Sequence, residues 1–362
     1  MAETARAAGV RPAPPLAGLG VTAESARRAL AAFRTSCPAL LQRSDASELT
    51  RSADWSAACS AAADWRDADA LAFFEQQFET VQVGDGKAFA TGYFEPRIAG
   101  SRVRTSTYTV PIYRLPDDLI EADLGLFSDT LKGRRIRGRV EDRKLIPYHD
   151  RAAIDDGALA GRGLELAWAA DPVELFFLEI QGSGQLLLPD GAVMRIGYAG
   201  QNGRDYVAIG KLLNDRKLIK GSVSMQAVVA WLRAHPDEGR AIMRENRSYI
   251  FFNEIKGEGP IGALGKALTP RGSVAADPKF VPLGAPLLLA TDRPETGGLW
   301  VAQDTGGAIK GANRFDTFWG TGDDAAQLAG AMAAHGTSYL LLPKGTIERL
   351  VGVRNNDSQA GR

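Results

Sequence analysis

The stretch Gln303-Asp304-Thr305-Gly306-Gly307-Ala308-Ile309-Lys310-Gly311-Ala312-Asn313-Arg314-Phe315-Asp316-Thr317-Phe318-Trp319-Gly320 reads as strand, glycine-rich loop and strand. A period of two puts Trp300, Ala302 and Asp304 on one face of the first strand, and Arg314, Asp316 and Phe318 on one face of the second. If the two strands are neighbours, both carboxylates lie near one end of a sheet. Gly306, Gly307 and Gly311 leave room for an extended ligand to approach the backbone. By residue type alone, both aspartates read first as turn caps. Carboxylates among aromatic rings, with few other reactive groups nearby, point to sugar chemistry more than to nucleophilic or metal chemistry.

Further segments of the same texture lie upstream. Asp277-Pro278 is a turn signal, so a structural role is the default for Asp277. Residues 257–272 form a long Gly/Pro-rich loop carrying Lys266, Thr269 and Arg271, of a length that is often functional. Thr91-Gly92-Tyr93-Phe94-Glu95-Pro96 sets an aromatic and a carboxylate beside a glycine. Gln181-Gly182-Ser183-Gly184 and Gly197-Tyr198-Ala199-Gly200-Gln201-Asn202-Gly203 add amides, a hydroxyl and another tyrosine, groups suited to sugar hydroxyls and ring faces. No nucleophile elbow, zinc-protease helix or P-loop is present.

The chain has 362 residues, with 43 basic and 43 acidic side chains. This balance gives no electrostatic case for a nucleic-acid partner. No apolar run approaches the ~20 residues needed to span a bilayer, and the first residues lack a signal-peptide pattern. Residues 1–20, with Pro12, Pro14 and Pro15, read as a disordered leader. Cys37 and Cys59 are either buried thiols or one disulfide. His149, His235 and His335 show no ligand spacing, so neither a metal nor another cofactor is expected.

Helices are expected over residues 22–33, 69–78, 206–213, 224–234 and 324–335. Short strands are expected at 81–83, 87–94, 107–113, 176–181, 248–252, 286–290, 299–303, 315–318 and 338–342. The arginine-rich run 132–144 reads as a solvated loop or edge strand. Many short strands with few long helices indicate an all-β barrel or an α+β fold.

The ordered set of segments 91–96, 145–151, 171–184, 195–203, 277–284 and 303–320 resembles the membrane-bound lytic murein transglycosylase A family. The last part also resembles the 3D domain, named for three aspartates that map to Asp277, Asp304 and Asp316. The resemblance implies a mainly β fold with α+β elements. It implies a double-psi β-barrel domain, residues 21–103 plus 245–362 with N-terminal helices, and a smaller inserted β domain, residues 104–244, with a groove between them. It implies cleavage of the MurNAc–GlcNAc β-1,4 bond of peptidoglycan, with formation of 1,6-anhydro-MurNAc. Asp316 is then the first choice for the acid/base, with Asp304 close behind and Asp277 the third catalytic candidate. Candidate glycan contacts are Tyr93, Glu95, Gln181, Ser183, Tyr198, Gln201, Asn202, Lys266, Lys310 and Trp319.

The partners implied are peptidoglycan glycan strands, with other cell-wall enzymes as a further option, for a chain expected to be monomeric. The location implied is the periplasm, with association to the outer membrane left open and no export signal in this sequence. Two other readings stay open. One is a hydrolase in which Asp304 or Glu95 activates water. The other is a non-catalytic glycan-binding barrel.

Overall fold

Backbone pairing gathers the acidic segments of the sequence into one sheet. The computed structural model describes residues 3–350 apart from 220, 222, 223 and 258. The chain divides into two units. One is built from the residues up to Phe94 and from Ile261 onward, the other from Glu95–Pro260. The fold is mixed α+β and rich in sheet.

In the first unit the strand order is Val10–Pro12, Phe78–Val83, Ala333–Pro343, Pro286–Thr291, Gly298–Asp304, Ser273–Ala276, Arg314–Thr321, Lys87–Glu95. Lys87–Glu95 also pairs with Ala333–Pro343, so six of these strands close into a ring. Closure removes the open edges that an isolated sheet would leave. The strands of the ring carry apolar side chains that are essentially buried on both faces, among them Leu287, Leu289 and Ala302 on one and Val301 and Leu341 on the other.

Helix Ala23–Leu40 braces this sheet. Thr22 caps it by accepting a hydrogen bond from the Ser25 N–H at 3.2 Å. Its buried face carries Ala26, Ala29, Leu30, Phe33, Cys37 and Leu40, the spacing of a helix with one apolar stripe. Gln303, fully buried, donates from Nε2 to the Ala32 carbonyl and to Ser36 Oγ, both at 2.9 Å. The helix therefore fixes the residue that precedes Asp304. Phe33 sits in a cluster with Trp55, Phe73 and Phe78. Cys37 and Cys59 form a disulfide, with Cα atoms 5.5 Å apart, joining this helix to helix Ser56–Asp64.

The second unit has a six-stranded sheet in the order Ile250–Glu254, Val193–Gln201, Ser183–Leu187, Arg97–Ser101, Glu165–Ala169, Val110–Tyr113. The strands Ile120–Asp123, Arg135–Glu141 and Lys144–Pro147 form a small second sheet, which absorbs the arginine-rich run. Arg151 and Glu179 form a buried ion pair here, 5% and 3% exposed. Arg151 also donates to the Asn246 carbonyl, and its guanidinium lies 4.7 Å from the centre of the Phe176 ring.

Several expectations need correction. The inserted range 104–244 is too narrow, because Arg97–Ser101 and Ile250–Glu254 are hydrogen-bonded into the second unit's sheet. Within the expected disordered leader, Ala5–Ala8 is helical and Val10–Pro12 pairs with Phe78–Val83; Met1 and Ala2 lie outside the described residues. Proline is tolerated there because the strand lies on a sheet edge.

Residues 176–181 are not a strand but the end of helix Pro172–Gln181. Asp171 caps that helix, Pro172 occupies its first turn, and Gly182 closes it in the left-handed region. The expected helix 324–335 ends at Gly330, and His335 and Gly336 belong to the strand Ala333–Pro343. Gly336 is needed there because a Cβ would come within 2.1 Å of the Ala290 carbonyl oxygen.

Replacing both cysteines, Cys37→Ser with Cys59→Ser, should cost about 2–4 kcal/mol. A reductant should lower the melting temperature of the wild type and leave the double variant unmoved. Glu179→Ala should cost about 3–5 kcal/mol, because it leaves Arg151 charged and unpaired inside the unit. Chemical denaturation reads both losses, and an unchanged midpoint contradicts the corresponding claim.

Candidate active site

Ala275 organises the acidic residues. It pairs with Asp304 in the parallel neighbour and with Asp316 in the antiparallel neighbour. Two strand spacings place the two Cα atoms roughly 9–10 Å apart, and in-register residues of adjacent strands share a face. The pairing shifts between Val274 and Ala275, from Ala302 to Asp304. Gln303 is the extra residue of this bulge, and it turns to the bracing helix. The expected period-two set of Trp300, Ala302 and Asp304 is therefore broken at Gln303. Tyr93, Leu268, Ala275, Ile309 and Phe318 pack into one apolar cluster in this region.

The two carboxylates have different partners. Asp304 Oδ1 accepts from the backbone N–H groups of Ala263 at 2.8 Å and Thr305 at 2.9 Å. Its Oδ2 accepts from the Tyr93 hydroxyl at 3.0 Å. Asp316 Oδ1 accepts from Thr91 Oγ1 at 2.6 Å, and Thr91 Oγ1 in turn accepts from Arg314 Nη2 at 2.9 Å. The Arg314 guanidinium lies 4.8 Å from the centre of the Phe89 ring.

Desolvation pushes the Asp316 carboxyl up to about 6, aided by the Asp304 charge and opposed by the Thr91 hydrogen bond and by Arg314. Both aspartates keep some accessible surface, but the packed atoms around them remove most of the water that would solvate a charge. Asp304 is also pushed up by burial, against the pull of its three donors. Burial and the two aspartates hold the Tyr93 hydroxyl well above its usual range, so it remains a neutral donor. The site thus pairs a carboxyl able to hold a proton near neutral pH with a carboxylate surrounded by donors.

Asp277 has a different place. It is 6% exposed, and its oxygens accept from the backbone N–H groups of Lys279 at 3.1 Å and Gly311 at 2.8 Å. Its carboxylate ties the loop after Ser273–Ala276 to the glycine-rich loop that precedes Asp316.

Of the candidate glycan contacts in this unit, Tyr93 joins the carboxylates, Lys266 is half-buried and Lys310 is exposed. Trp319 is no sugar platform. It is 5% exposed, packs edge-on against Trp300, and donates its indole N–H to Thr317 Oγ1 at 2.9 Å. In the other unit, Gln181, Ser183 and Gln201 are half-buried and Tyr198 is 49% exposed. Asn202 is fully buried, and its Nδ2 donates to the His149 and Arg247 carbonyls, both at 2.9 Å. Glu95 is 1% exposed and accepts from Arg195 Nη1 and Gln185 Nε2. Both are structural clamps, since their polar atoms face protein partners.

Sequence reasoning missed Thr91 and the Ala263 and Thr305 amides. Thr91 had a signal, because it lies two residues before Tyr93 and so on the same strand face. Backbone donors carry no side-chain signature and could not be found.

The comparisons agree with this architecture. Residues 89–253 match the MltA specific insert domain, and residues 272–342 match the 3D domain. The membrane-bound lytic murein transglycosylase A of Vibrio cholerae is 31% identical over 304 residues, which cover 80% of this chain and 73% of that protein. The crystal structure of a membrane-bound lytic murein transglycosylase from Agrobacterium tumefaciens is 31% identical. It superposes with a TM-score of 0.84 over 94% of this chain and 99% of that one. Escherichia coli MltA crystallised with bound chitohexaose is 26% identical, with a TM-score of 0.68 over 92% and 94% of the two chains. The chain belongs to the membrane-bound lytic murein transglycosylase A family.

Proposed function

We propose that the protein is a peptidoglycan lytic transglycosylase with Asp316 as its acid and then its base. The observation that carries this reading is the pair of crowded carboxylates, both raised by burial, of which Asp316 is pushed up to about 6 and, among the described residues, has one hydrogen-bond donor where Asp304 has three. Neutral Asp316 donates its proton to the glycosidic oxygen as the C1–O bond breaks. The resulting carboxylate then takes the proton of the C6 hydroxyl as O6 bonds to C1, closing the 1,6-anhydro ring. No water enters, and Asp316 ends protonated as it began.

One acid/base residue suffices because the nucleophile is tethered to the sugar being cleaved. Intramolecular attack can replace up to ~7–11 kcal/mol of barrier in ideal geometry. Asp304, held by three donors, supplies negative charge for the cationic sugar that develops at C1. Asp277 acts indirectly, by fixing the loop that leads to Asp316. Lys266, Lys310, Gln181, Ser183, Tyr198 and Gln201 remain as candidate glycan contacts. The chitohexaose bound to Escherichia coli MltA supports a β-1,4-linked sugar chain as ligand.

In this reading the closed six-strand ring is a double-psi barrel, and the protein acts as a monomer in the periplasm at the outer membrane. The Cys37–Cys59 disulfide supports an oxidising compartment. Among the described residues no helix is long and apolar enough to cross a membrane.

Asp316→Asn should reduce turnover by about 10²–10⁴-fold or more while glycan binding persists. In the wild type kcat should fall as pH rises through about 6, since the acid form disappears there. Asp304→Asn removes the like charge, so this limb should move to lower pH. The sign for stability is opposite to that for activity. A folded-state pKa raised above the unfolded value makes ionisation destabilising, and stability is lost as pH rises from near 4 through about 6. Asp316→Asn should therefore stabilise the protein at pH 8, by on the order of 1–3 kcal/mol. An active and unstabilised Asp316→Asn variant would refute the assignment.

A further inference from the structure

The two oxygens of Asp316 stand in different surroundings. Oδ1 meets Thr91 Oγ1 at 2.6 Å, and that hydroxyl accepts from Arg314 Nη2 at 2.9 Å. A guanidinium has donors only, whereas a hydroxyl has one proton and two lone pairs. Because Thr91 accepts from Arg314, its own proton is directed at Asp316 Oδ1. A second proton on Oδ1 would compete for the same 2.6 Å line. Among the described residues no group donates to Oδ2. That atom is also absent from their buried, unpaired polar atoms, so it keeps accessible surface. The strand beneath is held as well, since Thr317 Oγ1 donates to the Thr91 carbonyl at 2.8 Å.

We propose that Thr91, aligned by Arg314, is a positioning residue that keeps the acid proton of Asp316 on Oδ2, the oxygen open to a ligand. The proposal rests on the reading of Asp316 as the acid/base. In the first half-reaction Oδ2 gives its proton to the glycosidic oxygen. In the second the same Oδ2 receives the C6 hydroxyl proton, while Oδ1 keeps the Thr91 hydrogen bond. The proton therefore returns to the oxygen it left, and the carboxyl need not rotate between steps. The Arg314 charge reaches Asp316 through one hydroxyl, which orients the acid without a direct contact that would strip its proton.

The same bond has a second consequence, for pH. A donor to Oδ1 favours the anion, so Thr91 opposes the desolvation that raises Asp316. The charged and titratable groups facing Asp316 are Arg314 on its own strand, Asp304 on the far side of Ala275, and Tyr93 on the Lys87–Glu95 strand. Arg314 stays cationic and Tyr93 stays neutral through the relevant range. The Asp304 charge raises Asp316, and the three donors to Asp304 do not include Thr91.

The test is the pH dependence of kcat on soluble murein glycan for wild type, Thr91→Val, Thr91→Ser and Asp316→Asn. Thr91→Val should lower kcat by roughly 10–100-fold with little change in KM. It should also move the alkaline limb up by roughly one unit, the scale of one hydrogen bond to a charged group. Thr91→Ser, which keeps the hydroxyl, should restore both rate and limb. A merely structural role for Thr91 would lower activity without moving the limb. Should Thr91→Val not fold, Thr91→Ala removes the hydroxyl with less bulk and is read the same way. An inactive Asp316→Asn beside a Thr91→Val variant with the wild-type limb overturns the proposal and leaves the acid/base reading standing. An active Asp316→Asn overturns the reading itself.

Discussion

The removal of two carboxylates from water on either side of one small residue is the constraint on which the rest of this structure depends. Ala275 pairs with both Asp304 and Asp316, and a larger side chain there would alter the apolar cluster it shares with Tyr93 and Phe318. A desolvated carboxyl favours its neutral form, and a second carboxylate nearby strengthens that preference. The protein holds this unfavourable arrangement with backbone hydrogen bonds of a closed ring of strands, and with a helix that locks Gln303 beside Asp304. Stability and chemistry pull in opposite directions at Asp316, as at many sites where an acid must hold its proton near neutral pH.

The three aspartates divide the work by their partners more than by their chemistry. Asp277 faces two backbone amides and organises loops. Asp304 has two amides and a tyrosine hydroxyl, donors that favour its charge against the burial that raises it. Asp316 has one hydroxyl and an open oxygen, a setting that tolerates a proton. The same side chain thus takes three roles because the loops 261–272 and 305–313 and the strand Lys87–Glu95 supply different numbers of donors.

Much of this was legible in the sequence, and the failures are specific. The ordered motifs pointed to the family and to Asp277, Asp304 and Asp316, because each sits beside glycines and turn signals that only certain loops need. Period-two reasoning failed at Asp304, since a bulge at Gln303 has no local signature when the residue that compensates it lies on a distant helix. Phe176 to Gln181 looked like a strand by composition, yet the Asp171 cap and Pro172 decide for helix. Asn202, Glu95 and Trp319 were read as ligand contacts because amides, acids and indoles bind sugars. Their partners, the His149 carbonyl, Arg195 and Thr317, lie too far along the chain or too deep in the core to be read from composition.

The central claim is a cycle without water in which Asp316 carries the proton both ways. Mass spectrometry of murein digested by wild type and by Asp316→Asn tests it most directly. The account predicts wild-type muropeptides lighter by one water, about 18 Da, than hydrolysis products, as intramolecular closure requires, and their loss in Asp316→Asn. Ordinary reducing ends from the wild type, or anhydro products from Asp316→Asn at the wild-type rate, would contradict it.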